Sequence, residues 1–594
     1  MTDSTPYLGV AKSLCGRFWL ERPGDERLGL AIAQRCQVPE LIGRMLAARG
    51  QSLEGAPSFL EPRLRDLLTD PSELKDMDQA AERLAEAIER GERIAVYGDY
   101  DVDGATSAAL LSRFLRGVGS QDPLLYVPDR MREGYGPNAP AFHTLKADGA
   151  ALVITVDCGI TAFAALEEAA RIGIDVIIAD HHVAEPALPA ARAVVNPNRL
   201  DESSPHRNLA AVGVVYLLVI ATNRVLRQRG WFGPARPEPD LLQWLDLVAL
   251  GTVCDVVALT GLNRALATQG LKVMGRRGNL GLKTLCDVAR VNERVEAYHA
   301  AFLLGPRVNA GGRVGRSDLG ARLLATDDPI LAGDLARQLD AYNEERRALE
   351  AEVQEAALRQ AEAQAAENPH LLFLAGSGWH PGVIGIVAGR LKERYQRPVC
   401  VIALEEGLGK ASGRSVAGLH LGQAVIAARE AGLVLKGGGH AMAAGFEVRE
   451  DKLDALQAFI AARFKDDLDG TPLMPTLLID GALQARAASA ELIASLDRLA
   501  PFGAGNAEPR FVFPAQRVVM ADIVGADHVR CVLTGPDGGQ LKAIAFRVAG
   551  EELGRALLAG RGAGLHVAGR LKLDRWQGRD QVQIQIEDAA FSAG

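Results

Sequence analysis

The chain alternates between short, wholly apolar runs and longer stretches whose apolar residues recur at helical spacing. Ile94–Tyr97, Leu124–Val127, Ala151–Val156, Val176–Ala179 and Ala193–Val195 are aliphatic or β-branched runs bounded by polar or glycine-containing breaks. Runs of that kind read as strands buried on both faces, the interior of a parallel sheet. Between them lie segments such as Ala105–Arg116, apolar at Ala108, Leu111 and Leu115 and closed by Gly117, which fit one face of a helix. Strand–helix alternation predicts an α/β domain with right-handed crossovers. The run Leu245–Val253 reads as one more buried strand.

The pattern changes farther along. Asp328-Pro329 supplies an N-cap and a first-turn proline, and Asn368-Pro369 ends the helix they start. Glu344–Glu367 is polar on most faces, as in helices that bridge domains. Strands near Leu371–Leu374 and Val399–Ala403 open a second α/β domain. From about Thr476 the period becomes two: Val582-Gln583-Ile584-Gln585-Ile586 alternates after a hairpin turn at Trp576-Gln577-Gly578. An all-β unit of this length suits an OB-fold barrel, a common single-strand binder. The expected organisation is an N-terminal segment (1–90) without a legible motif, a catalytic α/β parallel-sheet domain (91–327), a connecting helix (328–367), a second α/β domain (368–470) and the barrel (471–594).

Composition narrows the class. A chain of 594 residues exceeds one core, and 48% apolar with 24% charged residues is ordinary for a globular protein. Seven cysteines without CxxC pairs argue for a reducing compartment and against structural zinc. The N-terminus lacks a basic segment followed by an apolar one, so no signal peptide is expected, and Leu209–Thr222 reads as a core helix rather than a membrane span. A cytoplasmic location is expected. The net charge of -8 argues against a general nucleic-acid coat but leaves room for local basic channels. Arg307, Arg313 and Arg316 precede Asp318 with no acid between them, and Glu430 is the sole acid between Lys410 and Phe446, where Lys410, Arg414, Arg429 and Lys436 fall. Both stretches are glycine-rich, which lets backbone amides approach phosphates.

The chemistry sits where the apolar runs end: Asp99-Tyr100-Asp101-Val102-Asp103-Gly104, then Asp157, then Asp180-His181-His182, then Asp255. Carboxyl ends of parallel strands share one crevice, and several acids in one crevice repel unless cations neutralise them. The first segment is not an EF-hand loop: a strand precedes it, and Leu110 stands where a bidentate Glu is required. A solvated acidic turn remains open for these three acids taken alone, as does a helix N-cap role for Asp157. In an extended segment Asp101 and Asp103 aim together, with Asp99 supporting. Adjacent His181 and His182 divide into one ligand and one substrate contact, and Asp180 can orient a ligand imidazole. Asp255, within an apolar run, requires a partner. Carboxylates with imidazole and no thiolate suit Mg²⁺ or Mn²⁺. Two ions about 3.5–4 Å apart suit in-line phosphoryl displacement, with Asp157 as the bridge. Asn309-Ala310-Gly311-Gly312-Arg313 and Gly437-Gly438-Gly439-His440 read as glycine-rich loops, or as plain tight turns, and Arg414 is a third candidate phosphate contact. Walker A, HExxH and GxSxG sequences are absent.

The order and spacing of these motifs resemble the DHH phosphoesterase superfamily, and Gly413-Arg414-Ser415 with Gly437–Gly445 resembles its associated substrate-binding domain. Arg132–Asn138, Asn196-Pro197-Asn198, Asn309–Arg313 and Pro501–Asn506 are similar to segments of the superfamily's single-strand-specific DNA exonucleases. That resemblance implies a two-metal 5'→3' exonuclease that degrades single-stranded DNA in recombination and in mismatch and base-excision repair. By motif, Asp101 binds one ion, Asp103, His181 and Asp255 bind the other, Asp157 lies between them and His182 faces the scissile phosphate. Asn309 and Arg313 hold a phosphate, Arg414 and His440 grip the nucleotide from the second domain, and Arg130 or Arg132 contacts the 5' phosphate. Tyr97 stands where other members carry a metal-binding His, which implies a weaker first site. Implied partners are single-stranded DNA, single-strand-binding protein and a helicase, with no membrane and a monomeric state. The rival reading is a DHH phosphodiesterase for short oligonucleotides or cyclic dinucleotides.

Overall fold

The computed structural model describes residues 5–130, 132–469, 473–560, 564–574 and 581–592. Internal contacts divide the chain into two compact units: Asp70–Asp255 with Lys272–Leu473, and Met1–Thr69 with Val256–Leu271 and Met474–Gly594.

The first unit contains two sheets. Strands β1 (Ile94–Gly98), β2 (Leu124–Tyr126), β3 (Leu152–Val156), β4 (Asp175–Ala179) and β5 (Ala193–Val195) form one in the order β2-β1-β3-β4-β5. Every pairing in it is parallel. From β1 the chain first adds a strand on one side, then returns to build the other side from β3. The carboxyl ends of β1 and β3 therefore flank the topological switch point, where a crevice opens in sheets of this order. Helix α1 (Val102–Gly117) follows β1; α2 (Ala211–Gln228) and α3 (Leu245–Cys254) pack beside it. Among the described residues α2 is the one helix long and apolar enough to cross a membrane, yet 78% of that window is buried inside the protein, as for a core helix.

Helix α4 (Gly305–Val314) precedes the long α5 (Pro329–Gln364), whose N-cap Asp328 accepts from the Ile330 and Leu331 amides. Beyond it, β6 (Leu372–Ser377), β7 (Val399–Glu405), β8 (Leu408–Arg414), β9 (Lys436–Gly439) and β10 (Ala443–Arg449) form a mixed sheet ordered β9-β10-β8-β7-β6.

Four expectations are corrected. The segment Asp101–Asp103 is not extended: Asp101 caps α1 and Asp103 lies in its first turn, so the two carboxylates join different groups of acids. Leu245–Cys254 is a helix, not a strand. It is buried on all sides, so its sequence is apolar all round and carries no helical period to distinguish it from a strand. Asn309–Arg313 is no loop; it lies within α4. Its glycines serve close approach: a Cβ on Gly312 would stand 2.9 Å from the Tyr100 carbonyl oxygen. Gly437–Gly439 is strand β9, and His440 follows it.

In the second unit, strands Phe511–Val524, His528–Thr534, Gln540–Ala545, Gln581–Phe591 and Leu565–Asp574 are hydrogen-bonded in that order, and the last pairs back onto the first. This is a closed five-stranded barrel. Asp574 lies opposite Gln581; the expected turn Trp576-Gln577-Gly578 lies outside the described residues. Residues 5–69 are built onto this barrel. Phe18–Glu21 pairs in parallel with Thr476–Ile479, and buried Asp588 accepts from the Ser13 hydroxyl (2.7 Å) and the Trp19 indole (3.0 Å). Ile32, Ile42 and Met45 share one core with Phe511, Phe513 and Val567. The Pro501–Asn506 segment is structural. Asn506 donates to the Leu499 and Pro501 carbonyls and accepts from Arg49, while the Ala504 carbonyl accepts from the Leu259 amide.

Candidate active site

Backbone amides hold Asp101 and Asp103, and backbone conformation places Asp157 and Asp255. Asp101 is the N-cap of α1, accepting from the amides of Asp103 (2.9 Å) and Gly104 (3.1 Å). A Cβ on Gly104 would stand 2.5 Å from the Asp99 carbonyl oxygen, so glycine lets the loop fold onto the first turn. Asp103 is buried and receives the Ala211 (2.6 Å) and Val212 (2.9 Å) amides at the start of α2, a favourable place for a carboxylate. Asp157, directly after β3, has φ 62, a conformation short polar residues tolerate. Asp255 caps the C-terminal end of α3. Val256 follows it at φ 60, a strained position for a β-branched residue.

Asp180 follows β4 and is fully buried. Its carboxylate accepts from the amides of Ile160, His181 and His182 and lies 2.7 Å from Nδ1 of His182. It therefore orients His182, the expected substrate-facing imidazole, rather than the expected ligand His181. Asn196 donates to the His182 carbonyl and Asn198 to the His181 carbonyl, which fixes the turn that separates the two rings.

The His181 ring faces the acids. Its Nε2 lies 3.3 Å from Asp157 Oδ1, 3.6 Å from Asp255 Oδ2 and 3.9 Å from Asp103 Oδ2. Three overlapping donor groups result: Asp99, Asp101 and Asp157; Asp103, His181 and Asp255; and Asp157, His181 and His182, with donor atoms in each within 4.8 Å of one another. Asp157 belongs to two of them. Asp99, expected only as support, stands in the first as a donor.

Electrostatics mark this cluster as incomplete. Burial, with repulsion from neighbouring acids, pushes Asp99, Asp103 and Asp157 far above the usual carboxylate range. Burial and Asp101 raise Asp255 to about 7. Burial and the neighbouring His182 lower His181 to about 4. Burial also disfavours charge on His182, but its bond to Asp180 prevails and raises it to about 9. Asp180 lies below its ordinary value: burial opposes its charge, and the His182 and amide hydrogen bonds outweigh burial. Asp99 Oδ1, Asp157 Oδ1, His181 Nε2 and Asp255 Oδ2 are buried and unbonded to any described residue. Orphaned polar atoms cost about 1–3 kcal/mol each, and three of these, Asp157 Oδ1, His181 Nε2 and Asp255 Oδ2, face one another. Hard carboxylate oxygens with one imidazole nitrogen fit Mg²⁺ or Mn²⁺.

Cations gather beside the acids. Arg313 donates through Nη1 to the Gly382 carbonyl at 2.9 Å. Burial and the charges of Arg130, Arg346 and Arg414 lower its pKa to about 10, while Asp101 acts the other way. Burial and Arg130 likewise lower Arg414, which donates to Ser412 Oγ and the Gly413 carbonyl. Arg130 lies over the Tyr100 ring, 4.9 Å from its centroid. Arg313, Arg414 and Arg130 thus come together. Arg132 does not join them; its side chain is 88% exposed, 4.0 Å from Asp129. Asn309 is half-buried on α4 and His440 exposed after β9.

The role of Tyr135 escaped sequence reasoning, and Tyr97 was read only as a missing ligand. Tyr135 donates to the Asp157 carbonyl at 3.2 Å and packs edge-on against His182; its signal was an aromatic between Gly134 and Gly136, both at positive φ. Tyr97 is buried, stacked on Tyr126 and Phe142, with its hydroxyl on the Gly136 carbonyl, and it supports the Tyr135 loop from within the core.

Comparison with known proteins agrees with this anatomy. Residues 93–252 match the DHH family, N-terminal domain; residues 368–466 match the DHHA1 domain; residues 479–588 match the RecJ OB domain. The single-stranded-DNA-specific exonuclease RecJ of Dickeya dadantii is 38% identical over 564 residues, 93% of this chain and 96% of that protein. The crystal structure of RecJ in complex with Mn²⁺ from Thermus thermophilus superposes with a TM-score of 0.78 at 31% identity, covering 96% of this chain and 78% of that one. The Mg²⁺ complex from the same organism gives 0.73 at 29% identity, covering 96% and 77%.

Proposed function

The chain belongs to the RecJ family of single-stranded-DNA-specific exonucleases, and from that premise we propose that it removes nucleotides from the 5' end of single-stranded DNA with the acid–imidazole cluster as its metal centre. Three buried donor atoms that face one another without partners, Asp157 Oδ1, His181 Nε2 and Asp255 Oδ2, carry this reading. Asp99 and Asp101 would hold one ion and Asp103, His181 and Asp255 the other, with Asp157 shared. When bound, paired Mg²⁺ or Mn²⁺ ions neutralise the acids, activate water and polarise the phosphodiester.

The chain's own groups supply the rest. Asp180 holds His182 oriented and protonated, so that ring can donate to a non-bridging phosphate oxygen as negative charge builds there. Tyr135 limits the ring's swing by packing on its edge. Arg313, Arg414 and Arg130 bind phosphates as charge partners and leave the bases unread, which fits sequence-independent digestion. Asn309 and His440 complete the grip, and Arg132 becomes the weaker candidate for the 5' phosphate because it points to solvent. The division of labour we propose is catalysis by residues 91–327, linkage by 328–367, nucleotide binding by 368–470 and single-strand binding by the barrel of 471–594. We also infer single-strand-binding protein and a helicase as partners, since a single strand is usually coated or freshly unwound, and a monomer acting in the cytoplasm.

The test is digestion of single strands labelled at the 5' or the 3' end, with and without Mn²⁺ or Mg²⁺. Labelled mononucleotide should leave first from the 5' label and only with metal. First release from the 3' label, or equal activity in chelator, would remove the proposal.

A further inference from the structure

The segment between β6 and the helix Ile384–Tyr395 forms a tight turn that none of the roles above uses. The Val383 amide donates to the His380 carbonyl at 3.1 Å. Pro381 takes the second position, where its fixed φ is favoured. The Gly382 amide donates to Nδ1 of His380 at 3.1 Å. His380 therefore plays the part that an Asp or Asn side chain plays at the first position of such turns, and its Nδ1 must be the unprotonated nitrogen.

The turn grips Arg313 at two points. Its Gly382 carbonyl accepts from the guanidinium. A Cβ on Gly382 would stand 2.4 Å from the Arg313 carbonyl oxygen and 3.0 Å from the His380 ring, so the two backbones touch where only glycine fits. The grip meets a need. Arg313 lies among Arg130, Arg346 and Arg414, and like charges would drive a free guanidinium toward solvent. The same element reaches Arg414: a Cβ on Gly385, in the first turn of the helix, would stand 3.2 Å from its Nη2.

We propose that the His380–Val383 turn aims the Arg313 guanidinium at the acid cluster, with His380 and Gly382 as positioning residues for the nuclease reaction. This rests on the reading that Arg313 holds a substrate phosphate. The loss of a hydrogen bond to a charged group sets the expected size at about tenfold.

The test compares the full-length protein with H380A, H380N, G382A, R313A and H380A/R313A. Readouts are kcat and KM on a single-stranded oligonucleotide, and the rate of phenylglyoxal modification of Arg313 followed by mass spectrometry. H380A should raise KM about tenfold with kcat nearly unchanged, speed modification of Arg313, and add nothing in the R313A background. H380N should restore wild-type behaviour, because the amide oxygen accepts the same N–H. G382A should match or exceed H380A. Unchanged modification in both H380A and G382A overturns the proposal, as does an H380A effect that multiplies with R313A. Faster modification with KM unmoved in both H380A and R313A keeps the aiming role and removes the phosphate reading instead. H380A and H380N keep the test decisive if G382A fails to fold.

Discussion

The acid cluster is a place where the fold spends stability on chemistry, and single residues there make that measurable. Asp99, Asp103, Asp157 and Asp255 all have raised pKa values. A raised folded-state pKa gives stability that is full below the unfolded value, ~3.9 for Asp, and is lost as pH rises through the folded value. His182, raised to about 9, acts in the same direction between ~6.5 and 9. His181, lowered to about 4, is neutral in the folded protein over that range but half-protonated near pH ~6.5 when unfolded, so it adds a small opposing slope at the lower end, which the acids and His182 outweigh. The metal-free protein should therefore melt at a lower temperature at pH 8.5 than at pH 6.5, and Mg²⁺ should raise the melting temperature more at pH 8.5 because the acids must lose protons to ligate. Scanning calorimetry at both pH values checks this; an equal Mg²⁺ effect would contradict it. Asp157→Asn should cut cleavage by about 10³-fold, while the metal-free protein gains about 1 kcal/mol of stability from removal of a repelled charge. Single-turnover digestion and urea melts read the two effects separately. These acids were legible in the sequence because each follows an apolar run. Tyr135 was not, because its role depends on meeting Asp157 and His182 from a distant loop. Asp180 was legible as support, but only geometry shows which imidazole it supports.

At the scale of elements, legibility followed periodicity. The five parallel strands and the long helix carry clear patterns and stand where the patterns put them. Helix α3 does not, because total burial erases the polar face that would mark it as helical. Helix α4 was hidden by its own glycines, which look like loop signals but serve close approach: Gly311 to the Arg316 carbonyl and Gly312 to the Tyr100 loop. That contact yields a prediction. Gly312→Ala would place a methyl 2.9 Å from the Tyr100 carbonyl oxygen and 3.1 Å from the Tyr100 Cβ. Helix propensity favours alanine by up to ~1 kcal/mol, but overpacking of this kind costs about 1–3 kcal/mol, so strain should win. The strain falls on the segment that carries Asp99, Asp101 and Asp103. The variant should keep its far-UV spectrum and lose about tenfold in Mn²⁺ affinity by calorimetric titration, the scale seen when ligand support is disturbed. Unchanged Mn²⁺ affinity would show that α4 does not brace the acidic loop.

At the scale of the whole molecule, charge has to be read locally. A net charge of -8 opposes DNA at long range, so binding must come from a few well-placed cations whose effect survives at short distance. Arg313, Arg414 and Arg130 are the cations proposed above for that role, and binding through them would release counterions from the strand. Three phosphate contacts on a single strand predict a log–log slope of affinity against salt near about −2, from ~0.7 per contact. Arg414→Ala should flatten that slope by about 0.7 as well as weaken binding, because it removes one contact and one set of released ions. Weaker binding with an unchanged slope would mean that Arg414 acts by packing rather than by contact with the backbone. The measurement is fluorescence anisotropy of a labelled single strand over a salt series in Ca²⁺, chosen as a hard divalent ion to occupy the acids while cleavage is slow. Arg132→Ala serves as the internal comparison: its side chain lies in solvent beside Asp129, so its removal should change the slope less than removal of Arg414.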